Sequence, residues 1–177
     1  NKVMSLKTRF GNLGNILDFT NLTEENIYVL DSPILSNSQL EKFTNFFGDK
    51  SITIDCTFDK SENLETSIER MRKESEIAVR QGLTQLILSD KNISEKRLPI
   101  PMLLSVGAIN TYLIKKKLRG YASINAQTGE ALDTHSFATL IGVGATTVNP
   151  YLALDSLYQR FEKKLFGKFG YDECIER

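Results

Sequence analysis

The sequence predicts an α/β fold of about four βα units with a parallel sheet: an incomplete TIM-barrel-like domain, or a small open sheet with covering helices. Three observations predict it. Four short runs rich in β-branched or apolar residues, SITIDCT (51–57), QLILS (85–89), YASINA (121–126) and ATTVN (145–149), are each followed by a stretch of helical period. QLILS is nearly continuous in apolar residues, as expected of a strand covered on both faces. Gly82, Gly120, Gly142 and Gly144 punctuate the passages from helix to strand. Such alternation implies right-handed crossovers. Four units fall short of a closed eight-stranded barrel.

Residues 1–30 are weakly periodic, and GNLGN (11–15) reads as loop. Ser36 and Gln39 have capping-box spacing and open a helix that carries Leu40, Phe43 and Phe47 on one face and ends at Gly48. After the first strand, Asp59 and Glu62 form a second pair of this kind. The helix beyond places Leu64, Ile68, Met71, Ser75 and Ala78 on one stripe and Glu65, Glu69, Arg72, Lys73 and Glu76 outside. Lys91 to Arg97 is polar loop. Pro99 and Pro101 precede a helix from about Met102 to Lys117, with proline expected in its first turn. Its rows carry Leu103, Val106, Ile109, Asn110, Leu113 and Lys117. Gly107 and Ala108 would let a neighbour approach closely. Lys115 to Lys117 read as a solvated helix end.

Thr128-Gly129-Glu130 is a turn. Asp133 or Thr134 caps a helix turning Phe137, Leu140 and Ile141 inward. Asn149 is expected to cap the last helix, with Pro150 in its first turn and Leu154, Leu157, Tyr158, Phe161 and Leu165 on its apolar face. Gly167 and Gly170 interrupt the chain before CIER (174–177).

Lys+Arg and Asp+Glu both number 22, so no net field favours nucleic acid, an anionic membrane or acidic substrates. No apolar run reaches the length of a membrane span, and the first residues do not read as a signal peptide. Two cysteines, Cys56 and Cys174, make no metal or redox spacing, and a reducing cytosol is the expectation. The chain enters mid-pattern at VMSLKTRF (3–10) and closes on CIER; both ends read as cuts in a longer polypeptide.

Chemistry in parallel α/β domains gathers at the carboxyl ends of the strands. Here those ends are Asp55-Cys56-Thr57, Ser89-Asp90, Gln127-Thr128-Gly129 and Asn149-Pro150. Asp55 and Asp90 would suit acid–base or metal work as a pair, though strand-end aspartates commonly brace loops. His135, the single histidine, could pair with Cys56 as nucleophile and base, but no third orienting group is identifiable. Its expected place is the first turn of its helix. Gly142-Val143-Gly144 is not a phosphate loop, since it follows a helix and opens a strand.

Several blocks share one resemblance: LDSPILS (30–36), TIDCTFD (53–59), the E-x-A-V-R-x-G run (76–82), LILSD (86–90), IPMLLSVGAIN (100–110) and TGEALDTHSFATLIGVGATTVNPYLA (128–153). Together they resemble the central domain of the glutamate synthase large subunit, and VMSLKTRFGNLGN (3–15) looks like the linker entering it. Ser136 stands where the family usually has a second histidine, and Val143 where an aromatic is usual.

The resemblance implies an enzyme that converts glutamine and 2-oxoglutarate to two glutamates with NADPH or reduced ferredoxin. A terminal-cysteine amidotransferase domain would precede this chain, and a barrel binding FMN and an iron–sulfur cluster would follow it. It implies a linker over 1–30, the central α/β domain over 31–154 and a helical connection toward the FMN-binding synthase domain over 155–177. No catalytic, cofactor-binding or metal-binding residue of the family falls in this chain. The implied partners are those two domains and a small NADPH-oxidising subunit, in the cytoplasm, with neither nucleic acid nor membrane. Strand-end loops bracing an ammonia path would fit a bridging domain. The alternatives are a small free-standing βα-type enzyme using the strand ends, and a module that recruits a protein through its Phe- and Tyr-bearing helices.

Overall fold

The computed structural model describes residues 6–11 and 27–176. The remainder of the Gly/Asn cluster, 12–15, lies outside the described residues. Two compact units divide the chain, Asn1–Pro33 and Ile34–Arg177. In the first, β1 (Thr8–Phe10) and β2 (Tyr28–Leu30) pair antiparallel, with Arg9 opposite Val29.

The second unit is built on a parallel sheet of four strands: β3 (Ser51–Asp55), β5 (Gln85–Ser89), β7 (Ser123–Gln127) and β8 (Thr147–Asn149), adjacent in that order. Helices α2 (Leu64–Arg80), α3 (Met102–Lys115) and α4 (Thr134–Gly142) are the successive crossovers. The predicted α/β class holds, as an incomplete TIM-barrel-like sheet flanked by helices. Register and the two-residue alternation of strands give the sheet two unlike faces. One carries Ile52, Ile54, Leu86, Leu88, Ile124, Ala126 and Val148. It packs with Met71, Val79, Val106, Ile109, Leu113 and Leu140 of the three helices into the main core. The opposite face is polar except for Ile87: Gln85 and Ser89, Asn125 and Gln127, Thr147 and Asn149.

The first crossover runs the other way. Ile34 bridges in parallel to Val148 beyond β8, and Leu35 N–H donates to Val148 O at 2.8 Å. From there α1 (Asn37–Phe47) and a 3₁₀ turn, Gly48–Lys50, lead to β3 at the far edge. A right-handed crossover travelling in the reverse direction places its helix on the reverse face. Consistently, Leu35, Leu40, Phe43 and Ile87 are buried yet belong to no part of the main core. Thus α1 covers the polar face. Ser36 and Gln39 form both halves of the expected capping box.

Several expectations are corrected. The run 51–57 breaks at Cys56, whose N–H still reaches Ser89 O, and β4 (Thr57–Asp59) turns away to pair antiparallel with β6 (Arg97–Pro99). That pairing takes in Asp59, whose carboxylate accepts from Ser61 N–H and Oγ; Asn63, not Asp59, caps α2. Pro101 is the N-cap of α3, outside its first turn. Gly107 has open space where a Cβ would stand, so it serves no close approach. Asp133 caps α4 as expected, but Asn149 does not cap α5 (Tyr151–Glu162). No residue of α5 is buried; Tyr158 and Phe161 touch Tyr171 of the short α6 (Tyr171–Glu176).

Candidate functional site

The carboxyl ends of the strands are the place to look for chemistry, and each polar side chain there is already engaged. At the end of β3, Thr57 donates to Asp55 Oδ1 through its N–H at 2.9 Å and its Oγ1 at 2.7 Å. Arg97, from β6, donates through Nη2 to Asp55 Oδ2 at 2.8 Å and through Nε to Thr57 Oγ1 at 2.9 Å. Arg70, from α2, donates to Asp55 O and Thr57 O at 2.9 and 3.0 Å. Burial would raise the Asp55 carboxyl, but hydrogen bonds from Thr57 and Asn92 and the Arg97 charge outweigh it and hold it low.

Asp90, beyond β5, is 1% exposed and faces neutral donors. Thr128 Oγ1 donates to its Oδ2 at 2.6 Å, and Gly129 N–H reaches both oxygens at 3.2 Å. A Cβ at Gly129 would stand 3.0 Å from Tyr151 Oη, so the tyrosine would have to give way by a few tenths of an ångström. The Tyr151 hydroxyl is pushed up to about 12, chiefly by burial and then by its hydrogen bond to Asp90. Lys91 Nζ lies 5.0 Å from the Tyr151 ring centre, a cation–π distance. Glu130 accepts the Met102 N–H at 2.9 Å and so caps α3, a task its proline N-cap cannot perform.

Across the polar face the strand ends are laced together. Ser89 Oγ donates to Gln127 Oε1 at 2.8 Å, and Gln127 Nε2 to Asn149 Oδ1 at 3.3 Å. Asn149 Nδ2 then donates to Leu35 O and Asn37 Oδ1, both at 3.0 Å. This is why Asn149 is lost to α5. A second row lies deeper: Thr147 Oγ1 donates to Asn125 Oδ1 at 2.8 Å, and Asn125 Nδ2 to Gln85 Oε1 at 3.2 Å. Buried polar groups tolerate burial when paired in this manner.

The structure does not unite the candidate catalytic residues. Asp55 and Asp90 each keep to their own donors and form no shared site. Cys56 is wholly buried, and burial pushes its thiol up to about 12, so the nucleophilic thiolate is suppressed. His135 sits in the first turn of α4, as expected, and is exposed. Among the described residues no group of three or more His, Cys, Asp or Glu side chains is placed to hold a metal ion. No helix among them is long and apolar enough to cross a membrane. Sequence reasoning missed Arg97 and Arg70, the two cations that organise the end of β3. Neither carries a local signal, since Arg70 lies 15 residues and Arg97 42 residues beyond Asp55.

Residues 1–175 match the family model described as glutamate synthase central domain. A glutamate synthase [NADPH] large chain of Azospirillum brasilense is 46% identical over 94% of this chain and 11% of its own length. One from Bacillus subtilis (strain 168) is 38% identical over 99% of this chain and 11% of its own. A chloroplastic ferredoxin-dependent glutamate synthase of Oryza sativa subsp. japonica is 39% identical over 89% of this chain and 10% of its own. The chain spans about a tenth of the length of the curated relatives it matches. With its strand ends closed by internal hydrogen bonds and its match running through 1–175, the chain belongs to the glutamate synthase central domain family.

Proposed function

We propose that this chain is the domain-bridging part of a glutamate synthase, holding a glutamine amidotransferase site and an FMN-bearing synthase site in fixed relation. The observation that carries the reading is the near-complete match of this chain to relatives of which it is a tenth. Relatives named for NADPH, NADH and ferredoxin all match, which supports a role that does not depend on the electron donor. The reaction of the whole enzyme takes glutamine, 2-oxoglutarate and a reductant to two glutamates. A free-standing enzyme is not favoured, because Asp55, Asp90 and Cys56 are each committed to structure.

In this reading residues 1–30 enter the domain, 31–154 form its body and 155–177 lead toward the synthase domain. The chain supplies no catalytic or cofactor-binding residue. FMN and the iron–sulfur cluster belong to the parent's other domains: a buried thiol pushed up to about 12 and one further, half-buried cysteine do not furnish a cluster's thiolate set. A small NADPH-oxidising subunit is a further partner, and the cytoplasm is the proposed compartment; the plant relatives are named as chloroplastic. Ammonia released to water becomes ammonium, a poor nucleophile, so a rigid bridge that braces a covered path serves the coupling. The laced strand ends supply that rigidity.

The test is coupling in the full-length enzyme. Loosening the strand ends with Asn149→Ala should leave glutamine hydrolysis intact while the glutamate formed per glutamine consumed falls below two. An unchanged ratio would remove the bridging role. Flavin absorbance or turnover by residues 1–177 alone would overturn the reading outright.

A further inference from the structure

The two edges of the parallel sheet are treated differently. Beyond β8, the chain's own Ile34–Leu35 segment pairs with Val148 and seals the edge. Beyond β3 nothing among the described residues does. In a strand, the N–H and C=O of one residue point to one side and those of the next to the other. Cys56 N–H points to Ser89 O on β5, and Lys50 O accepts from Thr84 N–H on the same side. The even-numbered residues therefore serve the ladder with β5, and Ser51, Thr53 and Asp55 point outward.

The outward groups at the two ends are occupied. Ser51 N–H is bound to Gly48 O, and Asp55 O accepts from Arg70 Nη2. Ser51 C=O, both groups of Thr53 and the Asp55 N–H have no partner among the described residues. They face a groove of about 510 Å³ that follows Ile52, Thr53, Ile54 and Asp55, with Arg70 and Arg97 at one end. Thr53 is exposed. The strand SITID has no Lys, no Pro and no bulge, three of the devices by which a free edge is kept from pairing, and its one charge, Asp55, lies at its end. Its β-branched centre, Ile52-Thr53-Ile54, favours a strand neighbour.

We propose that β3 is a strand-addition site. An extended segment from another part of the same full-length polypeptide docks in this groove as a fifth strand and pairs with Ser51, Thr53 and Asp55. A strand of about five residues spans it at roughly 3.3 Å per residue. A segment of the same polypeptide is the occupant because the relatives carry about nine-tenths of their length outside this domain. A tethered strand also pairs at high effective concentration. The inference rests on the bridging reading above.

The test is amide hydrogen exchange at Thr53 and Asp55 in the full-length enzyme and in residues 1–177. Both amides should exchange roughly tenfold or more slowly in the full-length enzyme. Equal exchange in the two overturns the proposal. Thr53→Pro removes an outward N–H and leaves the ladder to β5 whole, so it should abolish the added protection at Asp55, while Thr53→Val keeps it. Retained protection in the proline variant also overturns it. A photo-cross-linker at Thr53→Cys identifies the occupant. Capture of a segment of the same polypeptide supports the proposal; capture of a second copy, of a separate protein, or of nothing overturns it. Glutamate formation by the unmodified enzyme, measured alongside, separates failure here from failure of the bridging reading.

Discussion

Arg97 Nη2 stands 2.8 Å from Asp55 Oδ2, across 42 residues of sequence, and ties the antiparallel β4–β6 pair to the end of the edge strand β3. Thr57 completes the triangle, donating to Asp55 and accepting from Arg97 Nε. The arrangement closes the carboxyl end of β3 with charge-assisted hydrogen bonds that no single element could provide.

Removing this cation should be felt as lost stability. The Arg97 side chain is 39% exposed, so solvent screens part of the interaction, and Arg97→Met should cost about 1–2 kcal/mol in urea denaturation. The Asp55 carboxyl is held below its ordinary 3.8 in the folded chain. Its contribution is therefore complete above the unfolded value and is lost as pH falls through the folded one. The stability difference between the parent chain and Asp55→Asn should be constant at neutral pH and shrink below pH 3.8. A difference that grows on acidification would contradict the assignment.

Glycine positions 144 and 107 should respond oppositely to alanine. Gly144 has φ +124°, and a Cβ there would stand 2.4 Å from Asn110 Cγ. Asn110 Oδ1 accepts from Arg119 Nε at 2.7 Å, and Arg119 also donates to Gly144 O at 2.9 Å, so the clash would disturb a half-buried guanidinium. Gly144→Ala should cost about 2 kcal/mol or more. Gly107 lies mid-helix in open space, and Gly107→Ala should stabilise by about 0.5–1 kcal/mol. Thermal melting of the two variants checks both signs.

Asn149→Ala should unfasten α1. It removes the donor to Leu35 O and Asn37 Oδ1 and leaves Gln127 Nε2 without its acceptor. A loss of about 2–3 kcal/mol is expected for stranding these groups. Hydrogen exchange should quicken first in α1, ahead of α2 and α3.

Thiol labelling should separate the cysteines. Cys56 is fully buried, and burial pushes its thiol up to about 12, whereas Cys174 is half-buried near the end of the described chain. An aromatic disulfide reagent at about pH 8 should titrate one thiol in the native chain and the second on unfolding. Rapid labelling of both would contradict the burial of Cys56.

The alternation of strand and helix is legible because it is local: SITID is short and β-branched, QLILS has the composition of a strand covered on both faces, and Ser36 with Gln39 spells both halves of a cap. What is hidden depends on distance. The three-residue strands TFD and RLP carry no period of their own, and their pairing spans some forty residues, so 91–97 reads as plain loop. Asn149 before Pro150 has the look of a helix cap until the polar row from Ser89 claims it. The candidate site fares likewise. The strand-end aspartates are visible in sequence, whereas their partners, Arg97 and Thr128, come from other segments. Nor does alternation reveal that the first crossover traverses the sheet in reverse.

That reversal bears on how such a unit can sit inside a larger polypeptide. Because Ile34 lies against Val148, the chain joins the sheet and leaves it at neighbouring points. A module whose ends meet in this way can be spliced into a loop of its host, or lengthened at its far side, while the flanking parts keep their mutual spacing.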